Sequence, residues 1–222
     1  MYKLQDIAAA LDHAVLKPQA TNADVTAACK VCIDRNIGGL CVRPTDVALA
    51  AQHLRGSGTS VIVVVGFPHG SNRSAVKALE TSLGIEDGAI EVDMVMNIGK
   101  FLSGDYAFVR RDIEAVVAVA KPYGAHVKVI QETCYLSLKQ VAKACEICLA
   151  AGAQFVKTST GFGPGVATPA VVSIMKGTVG KLMGVKASGG IKDLAMATAY
   201  LDQGCARLGT SSVEAILDEV EQ

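Results

Sequence analysis

The chain has 222 residues, half of them hydrophobic and 19% charged. That excludes a disordered polymer and suits one domain, 1–222, with a substantial core. Lysine plus arginine (21) equals aspartate plus glutamate (21), so no basic footprint points to nucleic acid and no acidic tail to a basic partner; a small-molecule substrate is the default that remains.

Asp6 and Asp12 interrupt the early apolar stretch, so no signal-peptide core forms there. No apolar run approaches the ~20 residues of a membrane helix. Seven scattered cysteines leave an odd one after any pairing, which fits a reducing compartment. These features predict a cytoplasmic protein with no membrane attachment.

In chain order, short β-branched runs alternate with longer helical stretches. The candidate strands are Leu11–Leu16, Gly39–Val42, Val61–Gly66, Ile90–Asn97, Val127–Glu132, Phe155–Ser159, Gly184–Ser188 and Ala206–Gly209. The candidate helices are Asn22–Asp34, Asp46–Leu54, Ser71–Gly84, Tyr106–Ala120, Leu136–Ala151, Pro169–Lys176, Lys192–Asp202 and Val213–Val220. Thr21, Ser71 and Thr168 stand where N-caps are expected. Eight βα units imply a parallel sheet, and their number predicts a compact (β/α)8 TIM barrel. A doubly wound open sheet competes, but the first strand is not followed by its Gly-x-Gly-x-x-Gly turn.

In a barrel, alternate strand residues point inward and reactive groups gather at the strands' carboxyl ends. Charged residues within apolar strand runs are therefore informative, because burying them is costly unless they are paired. Asp93 in IEVDMVMN, Lys157 in FVKTSTGFG and Lys186 in GVKASGG are such residues. The two lysines lie on neighbouring strands, ~4.8 Å apart in a parallel sheet. Crowding and burial favour a neutral amine, so one of the two should have a lowered pKa. A neutral lysine is the nucleophile that carbonyl chemistry needs, and Asp93 can balance the remaining charge or move protons. A buried ion cluster without chemistry is the alternative.

Lys128 in HVKVIQE is also expected inside the barrel, paired structurally with Glu91 or Glu132. Asp12 is an inward candidate that can hold a substrate hydroxyl, orient a lysine or form a salt bridge. Cys41 in GLCVRP can pack or touch substrate, and Thr158 joins the candidate contacts beside Lys157. Gly161 lets the chain approach closely after the sixth strand. Strand seven ends in Ser188-Gly189-Gly190 and strand eight in Gly209-Thr210-Ser211-Ser212. Loops in those two places often bind phosphate through backbone N–H groups. Cys29-x-x-Cys32 and Cys145-x-x-Cys148 lie within helical patterns and read as core packing rather than a zinc site. His13, His53, His69 and His126 show no metal-ligand spacing.

The segments KTSTGF, EVDMVMN and VKASGG, with LDHAVLKP, GLCVRP, VGFPHG and LGTSS, resemble the deoxyribose-phosphate aldolase family nearly end to end. The resemblance implies a Schiff-base aldolase that needs neither metal nor cofactor. It reversibly cleaves 2-deoxy-D-ribose 5-phosphate to acetaldehyde and D-glyceraldehyde 3-phosphate, in deoxyribose phosphate catabolism. It further implies Lys157 as the imine-forming lysine, Asp93 as the proton-transfer aspartate and Lys186 as the tuning lysine, with phosphate contacts at Gly189-Gly190 and Ser211-Ser212. A homodimer is common for such barrels by the same resemblance. The chain departs from the family pattern at Ala14, where threonine is frequent, and at Phe162, where some members carry lysine; the second change predicts a weaker grip on phosphate. Two rivals stand beside this reading: another lysine-dependent TIM-barrel aldolase, and a non-catalytic phosphosugar-binding barrel.

Overall fold

A computed structural model describes residues 2–220. Eight parallel strands close into a barrel in simple order: β1 (Leu11–Val15), β2 (Gly39–Val42), β3 (Ser60–Val65), β4 (Glu91–Val95), β5 (His126–Ile130), β6 (Phe155–Lys157), β7 (Gly184–Ser188) and β8 (Arg207–Thr210). β1 pairs with both β2 and β8, which completes the ring. The (β/α)8 expectation is met. Most carboxyl-terminal strand ends fall one or two residues inside the expected runs, because the chain leaves the ladder for the βα loops before those runs finish.

The helices are α1 (Leu4–Ala10), α2 (Asn22–Asp34), α3 (Val47–His53), α4 (Ser74–Glu86), α5 (Ile98–Leu102), α6 (Tyr106–Ala120), α7 (Leu138–Ala150), α8 (Pro169–Val179), α9 (Leu194–Asp202) and α10 (Val213–Asp218). The short α1 and α5, of 7 and 5 residues, were not anticipated; neither reaches two full turns, so neither shows a repeating apolar face. Thr21 and Thr168 cap α2 and α8 as expected. Ser71 does not cap α4, which begins three residues later behind Arg73. Among the described residues, no helix is long and apolar enough to cross a membrane.

Strand parity sorts the apolar residues into two cores. Outward-facing Leu40, Val63, Val92, Val129, Val156 and Val185 meet the helices in the main core. The helices answer with residues at i, i+3, i+4 and i+7: Val25, Ala28, Cys29 and Cys32 on α2, and Val141, Ala144, Cys145 and Cys148 on α7. Both C-x-x-C pairs therefore fall on buried stripes, as the core-packing reading requires. Inside the barrel, Cys41, Ile62 and Val64 form a small separate cluster near Ala14, Leu16 and Phe67. Beside this cluster, β1 and β4–β8 place Asp12, Glu91, Asp93, Lys128, Lys157, Lys186 and Arg207 in the interior.

Candidate active site

The register of the sheet places the charges. Lys157 on β6 and Lys186 on β7 are direct partners, and so are Asp93 on β4 and Lys128 on β5. All four side chains are buried. The Asp93 carboxylate gathers the three lysines: Oδ2 accepts from Lys157 Nζ at 2.6 Å and Lys186 Nζ at 2.8 Å, and Oδ1 accepts from Lys128 Nζ at 3.0 Å. Lys186 also pairs with Asp12, which in turn accepts from Arg207 Nε at 2.8 Å. Lys128 pairs with Glu91.

Asp12, Glu91 and Asp93 thus face Lys128, Lys157, Lys186 and Arg207, and full ionisation leaves one surplus positive charge among these described groups. Lys128 and Lys186 each contact two carboxylates, whereas Lys157 contacts Asp93 alone. The lysine with the least anionic compensation is the one that resemblance assigns as nucleophile.

Burial works against the charge on Asp93, but Lys128, Lys157 and Lys186 overcome it and hold the carboxyl well below the usual aspartate range. Asp12 is likewise lowered, against burial, by Lys186, Lys128 and Arg207. The expectation that crowding lowers one of the two lysines fails for Lys186. Burial does oppose its charge, but Asp12 and Asp93 outweigh burial and raise it above the ordinary lysine value. Asp12 and Asp93 thus favour the ammonium form of Lys186.

Above this cluster a cavity of about 350 Å3 opens at the carboxyl ends of the strands. Lys157, Lys186, Asp12 and Cys41 form its inner end. The expected Gly161, Gly189, Gly190, Gly209, Ser211 and Ser212 line its walls. Gly209 is required by packing, since a Cβ there would meet Ser188 Oγ and come within 3.2 Å of Lys186 Cε. Burial and the adjacent Asp93 push the Cys41 thiol up to about 11. At neutral pH it is a small neutral wall group, not a nucleophile.

Two placements differ from expectation. Thr158 is fully buried off the cavity wall, where its Oγ1 donates to the Ser188 carbonyl at 3.0 Å and accepts from the Ser188 N–H at 3.0 Å. One step along the chain from inward-facing Lys157, it falls on the opposite face. Glu132 is not a partner of Lys128; it lies beyond β5 with φ 50° and accepts from Thr160. Lys17, Thr160, Phe162, Ile191 and Lys192 also line the cavity. Lys17 and Lys192 follow strand ends in LKP and GGIKD, the positions from which βα loops reach a site. Their signal was present in the sequence but indistinguishable from that of solvent-facing lysines.

A model of the DeoC/LacD family aldolases matches residues 7–209. The chain belongs to the DeoC/LacD family of aldolases. It is 47% identical over 214 residues to the deoxyribose-phosphate aldolase of Clostridium perfringens strain 13, covering 96% of this chain and 95% of that one. It is 49% identical over 209 residues to the deoxyribose-phosphate aldolase of Thermococcus gammatolerans, covering 93% of each. Among solved structures, the tetrameric deoxyribose phosphate aldolase of Aeropyrum pernix superposes with a TM-score of 0.92 at 32% identity, over 99% of this chain and 93% of that one.

Proposed function

We propose that this chain reversibly cleaves 2-deoxy-D-ribose 5-phosphate to acetaldehyde and D-glyceraldehyde 3-phosphate through an imine on Lys157. The observation that carries this reading is the sharing of one Asp93 oxygen by Lys157 and Lys186 at the inner end of a cavity walled by the loops after β7 and β8. The names of the Clostridium and Thermococcus relatives support the choice of substrate.

The free amine of Lys157 adds to the C1 carbonyl of the open-chain sugar, and loss of water with uptake of one proton, returned on final hydrolysis, gives a protonated imine. Bond formation draws Nζ away from Asp93 Oδ2, which remains held by the Lys186 ammonium. Asp93 then accepts the C3 hydroxyl proton through a water. The C2–C3 pair flows into the imine, leaving an enamine on Lys157 and an aldehyde at C3, which departs as glyceraldehyde 3-phosphate. Protonation of the enamine at C2 and hydrolysis of the resulting imine release acetaldehyde and return the amine. The imine is the electron sink, so none of these steps requires another electrophile.

The phosphate is assigned to the cavity walls at Gly189-Gly190 and Ser211-Ser212, with Lys17 and Lys192 supplying positive charge. Those two lysines offset the charge missing at Phe162, so a large preference for phosphorylated over free deoxyribose is expected. Equal efficiency on both would remove this assignment. The seven cysteines, all free thiols in the structure, support a reducing, cytoplasmic setting.

Borohydride reduction in the presence of acetaldehyde, followed by peptide mass mapping, tests the reading. A two-carbon adduct on the Lys157 peptide is expected. An adduct on Lys186 instead reverses the two lysine roles, and no adduct on folded protein favours the phosphosugar-binding alternative.

A further inference from the structure

Glu132 is an unusual residue that the reaction above does not use. It is 2% exposed, and its φ of 50° places it in the left-handed region, which β-carbon-bearing residues rarely occupy. Such a conformation persists where surrounding interactions over-determine it, and it is a reason to look for a role.

The chain around Glu132 runs alongside the segment that follows Lys157. Gln131 N–H donates to the Lys157 carbonyl at 3.0 Å, and Thr133 N–H donates to the Thr158 carbonyl at 3.0 Å. Between them, the Glu132 carboxylate accepts from the Thr160 N–H at 3.3 Å and from the Thr160 hydroxyl. Thr160 Oγ1 accepts in turn from the Phe162 N–H at 3.0 Å. The contact continues beyond Phe162: a Cβ on Gly163 would lie 3.1 Å from Glu132 Cδ and 3.2 Å from Cys134 Sγ. The loop after β6 thus rests on the buried Glu132 side chain, and its Thr160, Gly161 and Phe162 form one cavity wall. Phe162 is steadied from the other side by edge-on contact with Phe67, with ring centroids 5.2 Å apart.

We infer that Glu132 is a positioning residue for substrate binding: its carboxylate sets the height and angle of the Thr160–Phe162 wall against the bound sugar. This rests on the aldolase reading above. Lys157 itself is anchored separately, by Asp93 and by the β5–β6–β7 ladders. Loss of the Glu132 carboxylate therefore displaces the wall without disarming the amine. A residue that merely held the fold together would weaken sugar cleavage and imine formation in parallel.

The experiment compares Glu132→Gln and Glu132→Ala with the parent in two assays, on protein whose folded fraction is fixed by circular dichroism. One assay is steady-state cleavage of 2-deoxy-D-ribose 5-phosphate; the other is the rate of borohydride trapping of acetaldehyde on Lys157. A charge-assisted hydrogen bond of this kind predicts a KM about tenfold to a hundredfold higher in Glu132→Ala and a smaller rise in Glu132→Gln. Trapping should stay within about twofold in both. If Glu132→Ala does not fold, Thr160→Val removes the hydroxyl partner, and the double variant with Glu132→Gln should be no worse than the poorer single one. An unchanged KM, equal losses in both assays, or fully additive effects would overturn the inference. Absence of trapping in the parent would instead remove the aldolase reading on which it stands.

Discussion

Lys77 and Lys157 are both buried lysines bonded to a buried aspartate, at 2.5 Å to Asp112 and 2.6 Å to Asp93. The surroundings differ. Lys77 on α4 meets Asp112 on α6 outside the barrel, donates also to the Val95 carbonyl at 2.8 Å, and shares Asp112 with the Ser74 hydroxyl at 2.7 Å. One carboxylate contacts the ammonium, Glu80 adds negative charge from farther off, and the pair does not line the cavity. Lys157 belongs to a cluster with a surplus cation and opens on that cavity. Burial lowers the Lys77 ammonium despite Asp112, whereas Lys186 in the barrel is raised. A depressed lysine therefore does not by itself locate chemistry; the proposed site rests instead on surplus charge, a shared carboxylate and access to a cavity.

Replacing Lys157 by Ala should break the barrel cluster's function most severely. Cleavage should fall by more than about 1000-fold with the fold retained, since the covalent route is gone. Substantial turnover, measured by coupled release of glyceraldehyde 3-phosphate, would end the assignment.

Asp93→Asn should reduce turnover by roughly 100-fold or more and cost about 3–5 kcal/mol of stability, because it leaves three lysines around a neutral amide. The pH response gives a second reading. Asp12 and Asp93 both titrate in the folded state below the ordinary 3.8. Between the folded and unfolded values the unfolded chain binds more protons, so stability rises with pH. Their contribution is full above the unfolded value and is lost as pH falls through the folded ones. Urea unfolding across the acid range should show that limb in the parent and a shallower one in Asp93→Asn. Identical limbs would mean that Asp93 is not the coupled group.

Lys77→Met is the contrast. It strands a buried Asp112 and should cost about 3–5 kcal/mol. At a temperature where it remains folded, kcat/KM should stay within about threefold of the parent. A larger kinetic loss would show that the outer pair positions Asp93 through the Val95 carbonyl, and the two clusters would no longer be separable.

The smallest effect is expected at the rim. Lys192→Ala should raise KM for the phosphorylated sugar about fivefold to tenfold and leave acetaldehyde trapping on Lys157 unchanged. No change in KM would return the phosphate to the glycine and serine backbone alone.

The order of eight βα units, the inward parity of Asp93, Lys157 and Lys186, and the burial of both C-x-x-C pairs were determined by the sequence itself. Each is a periodic property: a period of 2 in strands and 3.6 in helices places side chains before any tertiary contact forms. Parity also applied at Thr158, where proximity to Lys157 in KTSTG suggested a substrate contact and the opposite face won. Sequence could not show which carboxylate meets which ammonium. Asp12 and Glu91 divide Lys186 and Lys128 between them, and Glu132 turns away to Thr160, according to barrel register and the path of a loop. Asp112 lies on the buried stripe Val109–Ile113–Val116 of α6, and only the docking of α4 on α6 supplies its partner, Lys77. Local periodicity fixes the direction of a side chain; only closure of the barrel and docking of the helices bring opposite charges from distant strands within bonding distance.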